Sequence, residues 1–182
     1  MVNRTILICG PTAISDKHFE KFYVPQIEQE IQSGSNFVIG GALGVDYLAK
    51  CYLVKQNVDP SRVTVYDKGE QNHSVITIDG TEYKFNHING FSSYPKRDDE
   101  MVKIADNVIG FVYQYGGGAS GTIKSLLTME EKKKGQPLTP NEIVSLIRNK
   151  TMDPFINIAY FIANGQFLIN QKGENQFSIQ EN

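Results

Sequence analysis

Three short stretches carry residues whose types and spacing suit the binding of an anion. Gly116, Gly117, Gly118 and Gly121, with Ser120 and Thr122 among them, follow the apolar run Val108 to Val112. They precede a helical pattern through Ile123, Leu126, Leu127 and Glu130. Glycines let backbone N–H groups approach a ligand closely, and a helix that starts there turns its partly positive N-terminus on the same spot. The two hydroxyls add donors for a phosphate or a ribose. The stretch Gly40, Gly41, Ala42, Leu43, Gly44, Val45, Asp46 repeats the arrangement between a short strand and a helix, and Gly10, Pro11 and Thr12 follow the first strand. The competing reading for each is a slack surface connection.

Charged side chains near these stretches suggest further roles. Asp46 can accept a hydrogen bond from a ribose or base, or serve only as a first-turn charge favoured by the helix dipole. Arg97 can clamp a phosphate in bidentate fashion, or pair with Asp98 or Asp99. Asp98, Asp99 and Glu100 form an acidic cluster; paired carboxylates can act as nucleophile and acid/base at a glycosidic bond, or be ordinary charge on a helix's first turn. His18, His73 and His87 make no metal-ligand pattern. His73 and His87 bracket an insertion and can touch a ligand, although exposure to solvent is the simpler expectation. Lys132, Lys133 and Lys134 read as a solvated helix end. Neither a metal nor a cofactor is expected.

These residues need a scaffold, and the bulk numbers allow one. The chain has 182 residues, 40% hydrophobic and 21% charged, with a net charge of −2. That composition excludes a disordered chain and suits one domain with a real core. The isoelectric point near 5.9 makes duplex DNA an unexpected partner. Two cysteines, Cys9 and Cys51, lie in an apolar strand and a helical pattern and read as free thiols in a reducing compartment. No apolar run approaches the length of a spanning helix, and the N-terminus lacks a signal-peptide plan, so a cytoplasmic protein with no membrane partner is expected.

Strands are expected at Thr5–Cys9, Phe37–Ile39, Val63–Tyr66 and Val108–Val112. Helices are expected over Phe19–Ile31, with a kink or late start at Pro25, from Gly44 to about Gln56, over Ser92–Ala105, and after Thr122. The alternation implies an α/β fold: a Rossmann-like parallel sheet with helices on both faces. Asp79-Gly80 between two alternating runs predicts a β-hairpin insertion over about residues 67–90. Residues 1–135 then form the binding domain. Residues 136–182 form a small α+β appendage packed on it, with helices at Pro140–Asn149 and Asp153–Ala163 and a hairpin of Gln166–Asn170 with Gln176–Ile179. In an open parallel sheet, ligands bind beyond the C-terminal strand ends where strand order reverses. All three glycine stretches should therefore face one edge. The sequence contains no G-K-[S/T], no G-x-G-x-x-G after the first strand and no G-x-S-x-G, which excludes a P-loop, a dinucleotide fingerprint and a hydrolase elbow.

The ordered set Gly10-Pro11, Gly40-Gly41-Ala42-x-Gly44-x-Asp46, Arg97-x-x-x-Met101, Ala105-Asp106-x-Val108-Ile109 and Gly116-Gly117-x-x-Ser120-Gly121-Thr122 resembles the SLOG superfamily over about residues 5–135. That group takes in DprA-like DNA-processing proteins, lonely-guy phosphoribohydrolases and small stand-alone members. The resemblance implies a Rossmann-like sheet that binds a nucleotide or nucleotide-derived ligand in its cleft. It also brings a homo-oligomer into view, with the apolar stretch Phe155 to Phe161 as candidate contact and core packing as the competing reading. Lonely-guy hydrolases and deoxyribosyltransferase relatives carry a catalytic glutamate soon after the last loop. Here Ile123 and Lys124 follow Thr122, and Leu43 replaces a frequent arginine. Three functions are thus expected in order: nucleotide binding; N-glycosidic hydrolysis or deoxyribosyl transfer using Asp98, Asp99 or Glu100; and binding of single-stranded nucleic acid.

Overall fold

The computed structural model describes residues 3–112 and 118–153. Its centre is a sheet of five parallel strands: β1 (Thr5–Cys9), β2 (Asn36–Gly40), β3 (Val63–Lys68), β6 (Asn86–Phe91) and β7 (Asn107–Gly110). Their spatial order is β6-β3-β2-β1-β7. Inner strands buried on both faces read as unbroken apolar runs, and TILIC and NFVIG do so here. The side chains still alternate. Ile6, Ile8, Phe37, Ile39, Val63, Val65 and Ile109 enter one core, with Phe19, Tyr23, Ala49 and Leu53. Leu7, Val38, Tyr66 and Val108 enter the other, with Met101, Val102, Ile123, Leu126 and Ile147.

The helices divide accordingly. Helices α1 (Asp16–Phe22), α2 (Val24–Gln32) and α3 (Val45–Lys55) supply the first core; α4 (Tyr94–Ile104), α5 (Ala119–Lys134) and α6 (Pro140–Asn149) supply the second. The chain builds β1, β2, β3 and β6 toward one edge, then crosses back under α4 to lay β7 on the far side of β1. Strand order therefore reverses at the β1–β7 pair, and the crevice belongs there.

Four details differ from expectation. The stripe expected over Phe19–Ile31 is two helices. Pro25 lacks the N–H that would continue the ladder, and the chain turns at Tyr23 before α2 begins. The hairpin insertion is shorter than 67–90. Only β4 (Val75–Ile78) and β5 (Thr81–Lys84) pair antiparallel, around Asp79 and Gly80, whose φ values of 50° and 79° fit a type I′ turn. Residues 86–91 instead form β6, a parallel edge strand on β3. Its sequence NHINGF is mostly exposed and polar, so it shows no apolar run. Finally, α5 starts at Ala119, so Ser120, Gly121 and Thr122 form a first helical turn and not a loop.

Residues just after α6 return to the sheet. The Val112 N–H donates to the Lys150 carbonyl at 2.7 Å and the Met152 N–H to the Val112 carbonyl at 2.9 Å, which covers the β7 edge. The α6 helix carries a reciprocal cap between Thr139 and Glu142. The expected helix over 153–163, the terminal hairpin and the 155–161 contact stretch lie outside the described residues. Among the described residues, no helix is long and apolar enough to cross a membrane.

Candidate functional site: a cleft where strand order reverses

A cavity of about 470 Å3 opens at the C-terminal ends of β1, β2 and β7. Its lining includes Cys9, Gly10 and Thr12 after β1; Gly40, Gly41, Ala42 and Asp46 after β2; and Gly118, Ser120, Gly121 and Thr122 after β7. The structure thus brings the three glycine stretches to one edge. Gly116 and Gly117 fall outside the described residues. Pro11 is buried beneath the lining, and its carbonyl receives the Val45 N–H at 3.1 Å. Gly44, at φ 69°, packs its Cα against Pro11 and Thr12, so the first two stretches share one backbone surface.

Two helices start at this cleft without a side-chain cap. The N-caps of α3 and α5 are Gly44 and Gly118, whereas α1, α4 and α6 have Ser15, Ser93 and Thr139 accepting first-turn N–H groups. In α5 the first intrahelical bond runs from the Thr122 N–H to the Gly118 carbonyl at 2.9 Å. The N–H groups of Ala119, Ser120 and Gly121 precede it and have no intrahelical acceptor.

Several glycines are required by what lies behind them. A Cβ on Gly10 would collide with the Tyr23 hydroxyl and Val45. One on Gly40 would lie 2.6 Å from the Asp46 carboxylate and 3.2 Å from the Arg97 guanidinium. One on Gly41 would collide with Asp67 and His73. These positions stay bare so that a buried polar layer can close against the strand ends.

That layer is dense. Arg97, 8% exposed, donates from Nε and Nη2 to the Asp98 Oδ1 at 2.9 and 2.7 Å. Its fork faces a neighbouring carboxylate, and Arg97 also lines the cleft. Tyr94 stands beside it, with Arg97 and Lys68 each 5.0 Å from the ring centre. Asp46, 7% exposed, accepts the Ala42 N–H at 3.1 Å. Burial pushes its carboxyl up to about 6, although Arg97, the Ala42 N–H and Lys50 act the other way. Burial also raises Asp98, again against Arg97. Burial and the nearby Asp46 and Asp98 charges push the Cys9 thiol well above its usual value.

Of the acidic cluster, only Asp98 lines the cleft. Asp99 pairs with Lys124 at 2.6 Å and Glu100 with Lys103 at 3.6 Å, both outside the lining. One turn of helix cannot aim three consecutive side chains at one spot. Asp46 and Asp67, from other elements, line the cleft with Asp98.

At the β3 end the cleft holds a group that sequence reasoning undervalued. Asp67, 1% exposed, accepts the His73 N–H at 2.7 Å, His73 Nδ1 at 2.7 Å and His87 Nε2 at 3.0 Å. Burial alone would raise its carboxyl, but the backbone and ring of His73 and the ring of His87 bring it below the usual value. Lys50, 2% exposed, donates to the His73 carbonyl at 3.0 Å, and burial lowers it despite Asp46 and Asp67. Asp67 ends an apolar strand, Val63 to Tyr66, and strand ends on this edge face ligands; that was the available signal. His18 sits away from the cleft on α1, beside Ser15 and Phe22. Lys132 donates to the carbonyls of Lys103 and Ala105, so it caps the end of α4 as well as sitting at its own helix end.

Among solved structures, the chain is similar in fold to DNA processing protein A from Helicobacter pylori, whose structure was described for its single-stranded DNA binding mode. The TM-score is 0.47 and the identity 16%, over 92% of this chain and 81% of that one. No family model and no curated protein matches the chain.

Proposed function

We propose that the protein is a SLOG-like module that binds an intact nucleotide or nucleotide-derived ligand in this cleft. The carrying observation is the uncapped N-terminus of α5 opening onto a cavity at the strand-order reversal. A cavity near 470 Å3 suits a small ligand. The phosphate lies on the Ala119–Gly121 N–H groups with the Ser120 hydroxyl, and the sugar and base extend toward Gly40–Asp46. Asp46 and Asp98 accept hydrogen bonds from sugar hydroxyls. With Arg97 engaged by Asp98, phosphate binding rests on backbone donors and one dipole, which favours a monophosphate over a triphosphate.

Calorimetry and thermal shift with nucleoside monophosphates test this. Ser120→Asp supplies an anion where the phosphate would sit, at a helix start that favours acidic residues, so the fold is retained. Binding should fall at least about tenfold, the equivalent of about 1.4 kcal/mol. Equal affinity in wild type and S120D would overturn the phosphate assignment.

The hydrolytic alternative is supported by two carboxylates in one cleft, Asp46 buried and Asp98 half-buried, both raised by desolvation. Release of free base from a monophosphate, lost on Asp98→Ala, would replace the binding-only reading. A gel shift with single-stranded DNA tests the third reading, which the acidic lining disfavours because backbone neutralisation needs cations.

A further inference from the structure

The Asp67–His73 pair lies at the opposite end of the cleft from α5. The start of α5 packs on the loop after β1, where Gly118 lies against the Gly10 carbonyl, and the Asp67–His73 pair lies against Gly41 after β2. Strand β3 is two strands from β1, so the two ends of the cleft stand ~10 Å apart at ordinary strand spacing. A nucleoside monophosphate is long enough to reach from one to the other.

The chemistry at that end is fixed by geometry. Asp67 is an acceptor, so the nitrogen facing it must carry the hydrogen: Nδ1 of His73, at 2.7 Å. A neutral imidazole protonated on Nδ1 leaves Nε2 as a bare acceptor. The His73 ring lines the cleft with its side chain 47% exposed, and its Nδ1 edge is turned inward to Asp67. Nε2 is therefore the edge available to a ligand. The tautomer is held from several sides. Asp67 also takes the His73 N–H and the His87 ring, and Lys50 grips the His73 carbonyl. Gly41 lies directly against the pair, so the strand end keeps it from shifting.

We propose that His73 reads the base edge of the bound nucleotide as a hydrogen-bond acceptor, so that the cleft selects a base bearing an exocyclic amine over its keto counterpart, with Asp67 as the positioning residue that sets the tautomer. This rests on the nucleotide reading above. A keto oxygen at the same place would face the Nε2 lone pair, leaving two acceptors unpaired. A site built around such a polar contact rejects the wrong partner more strongly than an apolar one does.

The test compares AMP with IMP by calorimetry at mildly alkaline pH, in wild type and His73→Gln. The substitution retains the backbone N–H that binds Asp67, and the new side-chain amide can turn to donate or accept. Wild type should bind AMP about tenfold tighter than IMP, and H73Q should bind both within about twofold of each other. Equal affinities in wild type, or a preference that survives in H73Q, overturn the role of His73 and leave nucleotide binding standing. Binding of neither nucleotide by wild type overturns both. Nitrogen-15 spectra of the free protein give an independent readout. The Nδ1–H tautomer is expected for His73, and an Nε2–H tautomer overturns the proposal whatever the ligand data.

Discussion

The Asp46→Asn substitution probes the buried layer of the cleft in the ligand-free protein. The carboxyl of Asp46 is pushed up to about 6 from an ordinary 3.8, with burial as the main cause. A raised acid means the folded state holds the proton more tightly than the unfolded state. The stabilisation linked to Asp46 is therefore fully present below the ordinary value and lost as pH rises through about 6. At about 1.36 kcal/mol per pH unit, the whole loss is about 3 kcal/mol, and about 2 kcal/mol of it falls between about pH 4.5 and 7.5. Asparagine keeps an oxygen to accept the Ala42 N–H and carries no charge, so the variant lacks this slope. Removing the charge also relieves Asp98, which acts in the same direction. Urea unfolding of both proteins at the two pH values measures the difference. The variant should gain about 2 kcal/mol on wild type as pH rises. A difference that stays constant, or moves against the variant, would refute the view that Asp46 is held at the cost of its desolvation.

Two further substitutions test how the strand ends are held. Tyr23→Phe removes a buried hydroxyl that donates to the Cys9 carbonyl at 3.0 Å and accepts the Phe111 N–H at 3.1 Å. Leaving those two backbone groups unpaired should cost about 1–3 kcal/mol in urea unfolding. Gly41→Ala drives a methyl into Asp67 and His73; overpacking should cost about 1–3 kcal/mol, seen as a lower melting temperature, and should shrink any discrimination between AMP and IMP.

The fold is legible in the sequence where patterns are local and strong. TILIC, the Asp79-Gly80 turn and the two glycine–helix junctions each carry their instruction within a few residues. The shared edge for the glycine stretches followed from parallel topology alone. The β6 strand was missed because an edge strand is freed from the apolar requirement: Asn86, Asn89 and Gly90 answer to solvent, while β3 holds them by backbone bonds. The role of Arg97 was open in the sequence because a guanidinium beside two carboxylates has several partners within reach, and only burial selects one. The Asp67 cluster draws His73 and His87 from either side of the insertion. Spacing in the chain says nothing of such a meeting until β6 is known to lie beside β3.

Tyr23 has one more consequence. It belongs to the α1–α2 face, yet its hydroxyl bridges the ends of β1 and β7, the pair at which strand order reverses. It works as a stopper driven in from the opposite side of the sheet. The floor of the cleft at Gly10 is then set by a residue outside the cleft lining, and by how firmly the break before Pro25 seats it. Remodelling the joint between α1 and α2 would change the size of molecule the cleft admits while leaving every lining residue as it is.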